Sequence, residues 1–297
     1  MTMRYDGRVA VITGAGQGLG RSHALFLASR GAKVVVNDLG GSVDGTGGSS
    51  SAAEQVVAEI KAAGGEAVAN ADSVATREGG AAIIQAALDA FGRIDILVNN
   101  AGILRDKSFS KISLDDFEAV VQVHLMGSVY CTHAAWPHMV EQQYGRIVFT
   151  TSTSGLFGNF GQSNYSAAKI AVVGLMNTLK AEGQKSNIKV NCISPAARTR
   201  MTEDLLTPEI KEKLVPEWAT AAVAWMCAED CPASGVTIHA GGGRYARVAV
   251  MQGPVLDLSG GDPIPADALA AGYGRLARME PAKELTGGFD AMSDLLK

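Results

Sequence analysis

The chain has 297 residues, of which 47% are hydrophobic and 19% are charged, and its formal net charge is −4. This length suits one large α/β domain or two small ones. A weakly acidic chain without a long basic run disfavours nucleic acid and anionic membranes as partners. No apolar segment approaches the roughly 20 residues of a membrane span, and the first residues lack a signal-peptide layout, so we expect a cytoplasmic protein.

The four cysteines are consistent with a reducing compartment. They are scattered through apolar segments, at Cys131, Cys192, Cys227 and Cys231. The spacing of Cys227 and Cys231 allows a metal pair, but His239 is the only histidine nearby and no second cysteine pair follows. We therefore expect reduced thiols in the core and no metal site.

The first motif is a glycine-rich turn between a strand and a helix. Residues 9–12 (VAVI) form a continuously apolar run, as in a parallel strand buried on both faces. The sequence TGAGQGLG follows, and a helical pattern begins at Ser22. Such a turn brings N–H groups and a helix N-terminus against a diphosphate, although Leu19 takes the third glycine position of the G-x-G-x-x-G fingerprint. A plain tight turn would not require four glycines. The residues expected to bind a dinucleotide here are Gly14, Gly16, Gln17, Gly18, Leu19 and Gly20.

A carboxylate ends the second predicted strand. Residues 33–37 (KVVVN) lead to Asp38, which lies 18 residues after Gly20. An acid about 20 residues past the turn binds the ribose hydroxyls of the cofactor. A carboxylate there repels the 2′-phosphate of NADP and the turn has no Arg or Lys, so we predict NAD. The alternative, an aspartate that merely ends a strand, is disfavoured by the glycine turn before it.

A glycine- and serine-rich insertion, residues 40–51 (GGSVDGTGGSSS), follows the second strand. It is too long for a minimal connection between a strand and a helix. A domain linker is one interpretation, but strands and helices resume at the same rhythm after it. We therefore predict a surface loop.

The next two strands also end in polar or small residues. Residues 67–70 and 94–98 are the predicted third and fourth strands, with a helix over 81–91 between them. The third has a polar end that can face adenine, and the fourth ends in NNAG, which suits close backbone contact with a cofactor. A simple Asx turn is the alternative for NNAG. The residues expected at the cofactor are Asp72, Ser73, Asn100, Ala101 and Gly102.

The rest of the chain continues the alternation of helices and strands. A long helical region covers 113–139, and further strands are predicted over 145–152, 188–194 and 236–240. This βαβα order predicts an α/β fold with a doubly wound, seven-stranded parallel sheet and ligands at the carboxyl ends of its strands.

The segment from Ser152 to Lys169 carries the predicted chemistry. Tyr165 and Lys169 are four residues apart on a predicted helix, so both side chains point toward one site. A phenol has an ordinary pKa of about 10, and a nearby cation lowers the pKa of that phenol. We predict that Tyr165 is a general acid/base. A Tyr-x-x-x-Lys pair alone is more often a surface pair, so the assignment of Tyr165 depends on the motifs around it.

Taken together, TGAGQGLG, Asp38, NNAG, Ser152 and the Tyr165/Lys169 pair resemble the short-chain dehydrogenase/reductase superfamily. The order and spacings agree from about residue 8 to residue 243. The resemblance implies a Rossmann-type fold, binding of NAD, a small-molecule substrate, and assembly as a homodimer or homotetramer.

The resemblance also implies how the chain is divided. Residues 1–243 would form the Rossmann-type NAD-binding and catalytic domain. Residues 244–297 exceed the minimal family domain and show only weak periodicity, over 266–276 and 289–296. We expect them to be a C-terminal extension that packs on the substrate cleft or at a subunit interface.

A narrower resemblance is visible in VVVNDLGG, NNAGILRDKSF, VHLMGS and YGRIVFTTSTSGLFGNFGQSNYSAAK. These segments look like the (3R)-hydroxyacyl-CoA dehydrogenase domains of peroxisomal multifunctional enzymes of type 2, which also act on some hydroxysteroids and precede a hydratase. The resemblance implies a free-standing dehydrogenase that interconverts (3R)-3-hydroxyacyl-CoA and 3-ketoacyl-CoA. A hydroxysteroid dehydrogenase and a non-catalytic NAD-binding module are the alternatives.

The superfamily resemblance assigns roles to residues. Tyr165 would exchange a proton with the substrate oxygen, Ser152 would hydrogen-bond that oxygen, and Lys169 would hold the nicotinamide ribose and lower the pKa of Tyr165. Many members carry a further catalytic asparagine at the position of His124. That histidine either continues a water-linked proton relay or packs within its helix. Further cofactor contacts are expected from Pro195, Ala197, Arg198 and Thr199.

The segment 198–216 is the expected flap over the substrate. Its apolar wall would comprise Met201, Leu205, Leu206 and Leu214. Four basic side chains either meet CoA phosphates or are solvated surface charges, namely Arg105, Lys107, Arg198 and Arg200.

Overall fold

The computed structural model describes residues 2–198, 207–261 and 264–296. The chain forms two compact units, Met1–Arg247 and Val248–Lys297. The first unit holds the central sheet with the helices on its two faces, and it contains all the motifs singled out in the sequence.

The first unit is built around one eight-stranded sheet. Its strands are β1 (Val9–Thr13), β2 (Lys33–Asn37), β3 (Ala67–Asn70), β4 (Ile96–Asn99), β5 (Gly145–Thr150), β6 (Ile188–Pro195), β7 (Thr237–Gly241) and β8 (Arg244–Val248). The order across the sheet is β3-β2-β1-β4-β5-β6-β7-β8, and β1 to β7 pair in parallel. The predicted doubly wound parallel sheet is confirmed. The strand order reverses between β1 and β4, which is where such sheets bind ligands.

Helices cover both faces of this sheet. They are α1 (Gly18–Ser29), α2 (Ser51–Ala62), α3 (Arg77–Phe91), α4 (Leu114–Val121), α5 (Gly127–Gln142), α6 (Thr153–Phe157), α7 (Ser163–Glu182), α8 (Pro208–Lys213) and α9 (Glu217–Cys227). One apolar cluster includes Leu27 of α1 and Val223 of α9. A second, on the other face, includes Ile83, Met139 and Val172 from α3, α5 and α7. The four cysteines are buried free thiols, as predicted.

The eighth strand was not predicted. Gly242 and Gly243 join β7 to β8, and their φ angles are 57° and 74°. Positive φ at both central residues is the signature of a type I′ hairpin turn, so β8 runs antiparallel to β7. The chain therefore continues the sheet past residue 243, where we expected the extension to begin.

A π-helical turn interrupts the long helix predicted over 113–139. α4 ends at Val121, the π turn covers Gln122–Met126, and α5 begins at Gly127. His124 lies in this turn and is buried. Such turns insert an extra residue into a helix and are frequent at functional sites.

The second unit contains short elements. β9 (Met251–Gln252) pairs antiparallel with β10 (Lys283–Glu284). Its helices are α10 (Ala266–Ala271), α11 (Tyr273–Leu276) and α12 (Gly288–Leu295). Several of its large apolar side chains are exposed, such as Phe289 at 83%. Among the residues that the structure describes, none of the helices combines the length and apolar character needed to cross a bilayer.

Candidate active site

The glycine turn between β1 and α1 has no space for side chains. Gly14 and Gly18 have φ angles of 63° and 53°, in the left-handed region that favours glycine. A Cβ on Gly20 would lie 2.2 Å from the carbonyl oxygen of Gly14, and a Cβ on Gly14 would lie 2.8 Å from Cα of Ala101. The turn therefore packs backbone against backbone, and it leaves the N-terminus of α1 facing the cavity.

Asp38 is held in place by the backbone around it. Its carboxylate accepts hydrogen bonds from the N–H groups of Gly16, at 2.8 Å, and Gly40, at 2.7 Å. A Cβ on Gly16 would lie 2.8 Å from the same carboxylate. The carboxylate is thus fixed at the end of β2, beside the glycine turn.

Thr13 and Asn100 lock the ends of β1 and β4 together. The Asn100 side-chain amide donates to the carbonyl oxygens of Thr13 and Gly14, each at 3.0 Å. The Thr13 hydroxyl accepts from the N–H groups of Asn100 and Ala101, at 3.0 and 3.1 Å. Asn100 thereby fixes the shape of the glycine turn. Thr13 was missed in the sequence because nothing marks it beyond its place at a strand end.

The predicted catalytic side chains meet beyond the end of β5. Ser152 caps α6, and its hydroxyl accepts the Ser154 N–H at 3.2 Å. Tyr165 and Lys169 follow on α7, one turn apart. Lys169 is buried, donates from Nζ to the carbonyl oxygen of Thr150 at 2.6 Å, and lies 5.6 Å from the centre of the Tyr165 ring.

The pKa values in this cluster differ from the expectation. Burial raises the pKa of Tyr165, and a hydrogen bond with Ser152 offsets this only in part. Burial also lowers the pKa of Lys169 to about 7. For these residues alone, the Tyr165 pKa is thus raised and not lowered as predicted. Burial of the phenol outweighs the effect of nearby charges, and burial also disfavours the protonated, charged form of Lys169.

His124 packs against the ring of Tyr165. The two rings meet edge to face, with centroids 5.1 Å apart and planes at 87°. His124 Nε2 lies 2.8 Å from the carbonyl oxygen of Ile103, and Nδ1 has no hydrogen-bond partner among the described residues. Burial and the charge of Lys169 lower the pKa of His124 well below its ordinary value, so the ring is neutral. A Cβ on Gly102 would lie 2.2 Å from its Cε1, so the ring fills the space opposite Gly102.

Asn164 supports Tyr165 from the other side, and sequence reasoning missed it. It is fully buried. Its side-chain amide donates to the carbonyl oxygen of Arg105 at 3.1 Å, and its side-chain oxygen accepts the Tyr165 N–H at 2.8 Å. The first turn of α7 is thereby tied to the segment after β4. A buried asparagine beside a motif has no signal in the sequence.

The insertion 40–51 forms a loop that bonds to the same segment. The Leu104 N–H donates to the carbonyl oxygen of Val43 at 2.9 Å, and Arg105 Nε donates to that of Asp44 at 3.0 Å. Arg105 also pairs with Asp116 at 3.2 Å, as does Lys107 at 3.3 Å. Both basic side chains therefore form ion pairs with Asp116 of the same unit.

These groups surround one cavity of about 700 Å³. Asp38 and the glycine turn line one end, and Ser152, Tyr165 and Lys169 line the other. The further predicted residues that line it are Gln17, Leu19, Asp72, Ser73, Asn100, Ala101, Gly102, Pro195 and Ala197. Gly16 and Gly20 do not line it, and Arg198 is exposed. Residues outside the described ones include Thr199, Arg200, Met201, Leu205 and Leu206.

Comparison with known proteins identifies the family. A family model described as short chain dehydrogenase matches residues 8–209, more than half of the chain. The chain belongs to the short-chain dehydrogenase/reductase family. It is an oxidoreductase of a family that acts on CH–OH groups with a nicotinamide cofactor, and the resemblance stated from the motifs is confirmed.

Individual relatives agree with this assignment. The chain is 57% identical over 243 residues to the short-chain type dehydrogenase/reductase Rv0148 of Mycobacterium tuberculosis, which covers 82% of this chain and 85% of that protein. It is 48% identical over 297 residues to peroxisomal multifunctional enzyme type 2 of Drosophila melanogaster, covering 99% of this chain and 49% of that enzyme. The chain thus spans about half the length of the Drosophila enzyme.

Solved structures also match most of this chain. The full-length Drosophila enzyme superposes with a TM-score of 0.83 at 42% identity, covering 99% of this chain and 49% of that one. A 7α-hydroxysteroid dehydrogenase, solved with NADH and 7-oxo glycochenodeoxycholic acid, has a TM-score of 0.73 at 30% identity, covering 81% of this chain and 95% of that one.

The cavity of this dehydrogenase fits a dinucleotide. The glycine turn has no room for side chains and presents the N-terminus of α1 to a diphosphate, and the fixed carboxylate of Asp38 can accept hydrogen bonds from ribose hydroxyls. At the other end, the hydroxyl of Thr150 is buried without a hydrogen-bond partner among the described residues. Polar groups at both ends therefore remain available to a cofactor.

Proposed function

We propose that the chain is an NAD-dependent dehydrogenase that interconverts (3R)-3-hydroxyacyl-CoA and 3-ketoacyl-CoA. The observation that carries the proposal is the cavity with Asp38 at one end and Tyr165, Ser152 and Lys169 at the other. The family fixes the reaction class, and the site's geometry supports the roles of these residues.

NAD, as opposed to NADP, is supported by the setting of Asp38. Its carboxylate is held by the N–H groups of Gly16 and Gly40 and cannot turn away without losing both hydrogen bonds. A fixed negative charge repels a 2′-phosphate and accepts hydrogen bonds from ribose hydroxyls.

We propose that Tyr165 moves the proton. In the oxidation, its phenolate takes the proton of the substrate hydroxyl. The hydrogen on the carbon that bears this hydroxyl leaves as a hydride, and a C=O bond forms. Ser152 donates to the substrate oxygen, and Lys169, whose Nζ donates to the Thr150 carbonyl oxygen, would hold the ribose of the cofactor. When bound, oxidised NAD accepts the hydride and adds a positive charge that favours the phenolate. His124 and Asn164 hold Tyr165 in position.

The acyl-CoA substrate is supported by the motifs shared with multifunctional enzymes of type 2 and by the match to the Drosophila enzyme over 99% of this chain. A second candidate is a hydroxysteroid, because the neighbour solved with NADH and 7-oxo glycochenodeoxycholic acid is 30% identical over 81% of this chain.

The test is production of NADH from NAD, or of NADPH from NADP, with (3R)- and (3S)-3-hydroxyacyl-CoA of several chain lengths and with 7α- and 17β-hydroxysteroids. We expect the (3R)-thioesters to have the highest kcat/KM, with NAD preferred. A higher kcat/KM for any hydroxysteroid would favour the second candidate, and preference for NADP would contradict the role of Asp38.

We also propose that the chain assembles as a homodimer or homotetramer, as is usual in the family. The second unit supports this because it exposes large apolar side chains, among them Phe289 and Leu296. Light scattering on the purified protein should give a mass of two or four chains. A monomer at all concentrations would overturn this proposal without affecting the assigned chemistry.

A further inference from the structure

The glycine- and serine-rich insertion spans the cofactor end of the cavity. This insertion loop, residues 40–49, leaves the sheet after β2, and its tip bonds to residues 103–105, which follow β4. The end of β1, where the glycine turn starts, lies between these two strands. Four residues of the loop line the same cavity as the glycine turn, namely Gly41, Ser42, Val43 and Gly45. The loop therefore crosses the place that the turn offers to a diphosphate.

Two hydrogen bonds hold the tip of the loop against residues 103–105. The Leu104 N–H donates to the Val43 carbonyl oxygen at 2.9 Å, and Arg105 Nε donates to the Asp44 carbonyl oxygen at 3.0 Å. The first joins main chain to main chain, so a change of side chain does not remove it. The second depends on the guanidinium of Arg105, and this side chain therefore sets how firmly the tip is held.

The insertion loop is compact and narrow at its base. There, the Ser49 N–H donates to the Leu39 carbonyl oxygen at 2.9 Å. At the tip, the Asp44 carboxylate accepts the N–H and the hydroxyl of Thr46, at 3.0 and 2.8 Å. Gly40, beside the base, has a φ angle of 73°, in the region that favours glycine. A surface loop with joined ends and its own internal hydrogen bonds can swing about its base as one unit.

The segment to which the tip bonds is fixed on its other side. The Arg105 carbonyl oxygen accepts the Asn164 side-chain amide at 3.1 Å, and the Arg105 guanidinium also pairs with Asp116 at 3.2 Å. Ile103 is buried, and its carbonyl oxygen lies 2.8 Å from His124 Nε2. When the contact opens, the part that moves is therefore the insertion loop and not the segment beside the catalytic end.

We propose that the insertion loop is a lid over the diphosphate of the bound dinucleotide and that Arg105 is the positioning residue that holds it closed. The inference rests on the proposed function for the cofactor that the lid covers. Entry and exit of the cofactor both wait for the same opening of a lid. Loosening the lid therefore raises the association and dissociation rate constants alike and leaves their ratio, the dissociation constant, nearly unchanged.

The experiment is stopped-flow fluorescence of NADH binding and release, without substrate, on the wild type, Arg105→Met and Lys107→Met. Methionine keeps an unbranched apolar stem at both positions. Arg105→Met loses the hydrogen bond to Asp44 and an ion pair with Asp116. Lys107→Met is the matched control, because it also loses a positive charge and an ion pair with Asp116, while no hydrogen bond joins Lys107 to the loop among the described residues.

We expect both rate constants of Arg105→Met to be about tenfold higher than those of the wild type, the factor that corresponds to a weak hydrogen bond to a charged group. Lys107→Met should stay within about twofold of the wild type. Unchanged rates in Arg105→Met, or an equal rise in Lys107→Met, would overturn the inference. So would faster dissociation of NADH from Arg105→Met without faster association, because that result indicates a lost contact with the cofactor and not a lid.

Asp44→Ala approaches the same contact from the side of the loop. It removes the carboxylate that orders the tip, and it changes the net charge in the direction opposite to Arg105→Met. We expect both rate constants for NADH to rise about threefold, the effect of one neutral hydrogen bond. If Asp44→Ala and Arg105→Met changed the rate constants in opposite directions, charge would be the cause and the lid would be excluded.

The outcomes separate the lid from the proposed function. If the wild type binds NADPH and not NADH, the choice of NAD is wrong, and the same rate constants measured with NADPH decide on the lid. If the wild type oxidises (3R)-3-hydroxyacyl-CoA with NAD but all variants exchange NADH at the wild-type rate, only the lid is wrong. Binding of neither dinucleotide would overturn both proposals.

Discussion

The two ends of the cavity are built by different means. At the cofactor end, the glycine turn and the Asp38 carboxylate depend on backbone approach, with Gly20 and Gly14 leaving no space for a Cβ. At the catalytic end, buried side chains do the positioning, and Tyr165 is held by His124 and Asn164. The cofactor end should therefore tolerate little change in backbone shape, whereas the other end depends on the packing of side chains around Tyr165.

The largest effect is expected from a side chain added to the glycine turn. Gly20→Ala places a Cβ 2.2 Å from the Gly14 carbonyl oxygen, which the backbone can relieve only by moving. We expect a loss of about 3 kcal/mol in the free energy of unfolding and of most NADH affinity. Denaturant unfolding and NADH fluorescence measure these quantities.

Gly174→Ala is the matched control. Gly174 lies within α7, and among the described residues an added Cβ would have no atom within 4 Å apart from its chain neighbours and the backbone of its own helix, so alanine should stabilise the protein by about 0.5–1 kcal/mol. If Gly20→Ala behaved like this control, the cofactor end would not depend on close backbone packing.

The next effect concerns cofactor choice at the same end. Asp38→Asn removes the charge and keeps an acceptor for the Gly16 N–H. We expect kcat/KM with NAD to fall about 10- to 100-fold, the loss typical of a hydrogen bond to a charged group, and kcat/KM with NADP to rise. Steady-state kinetics with both cofactors give the ratio. Asp72→Asn, at the exposed end of the same cavity wall, should leave that ratio unchanged, and an equal shift there would remove the special role of Asp38.

A smaller effect tests the packing at the catalytic end. Gly102→Ala places a Cβ 2.2 Å from His124 Cε1, which should displace the ring that packs on Tyr165 and lower kcat. His124→Asn is smaller and should accommodate the new methyl group. If the two positions were independent, their fold-changes in kcat would multiply. We expect the kcat of the double variant to be about tenfold higher than that product, a coupling of about 1.4 kcal/mol. Additive effects in this double-mutant cycle would show that the two positions do not interact.

The last effect is absent at neutral pH and concerns the helix behind the cofactor end. His23 of α1 is buried, its Nδ1 lies 2.8 Å from the Thr220 hydroxyl, and burial lowers its pKa to about 3. Because this folded-state pKa lies below the unfolded value of about 6.5, the folded protein binds fewer protons. The stabilisation is present above about pH 6.5 and is lost as the pH falls toward 3, at up to about 1.4 kcal/mol per pH unit.

His23→Asn keeps a donor for Thr220 and removes the titration. The free energies of unfolding of the wild type and His23→Asn should therefore converge as the pH falls from about 7 to about 4. Carboxylates contribute equally to both proteins and cancel in the difference. A difference that stays constant with pH would show that His23 does not titrate in this range.

Much of this fold could be predicted from the sequence because its signals are local. Continuously apolar runs gave the seven parallel strands, and the glycine turn and NNAG marked the carboxyl ends where the cavity lies. The eighth strand has a local signal too, since two glycines followed by RYARV are typical of a hairpin. The π turn at Gln122–Met126 leaves no such pattern.

The electrostatics of the site could not be predicted in the same way. The Tyr165/Lys169 spacing correctly places the two side chains one helical turn apart, but the pKa of Tyr165 depends on burial by residues distant in sequence. Asp44 and Arg105 are 61 residues apart and meet only in the folded chain. Spacing predicts which groups share a helix face, whereas burial and long-range contacts decide their charge states.

The central claim is that Tyr165 carries the proton, and single-turnover formation of NADH by the wild type and Tyr165→Phe tests it most directly. With bound NAD and a (3R)-3-hydroxyacyl-CoA, the wild-type rate should rise with pH into the alkaline range, because the oxidation needs the phenolate and burial raises the Tyr165 pKa. Tyr165→Phe should be about 10³-fold slower, without this rise, and should bind NADH as the wild type does. Equal rates with the same pH dependence in both proteins would contradict the claim.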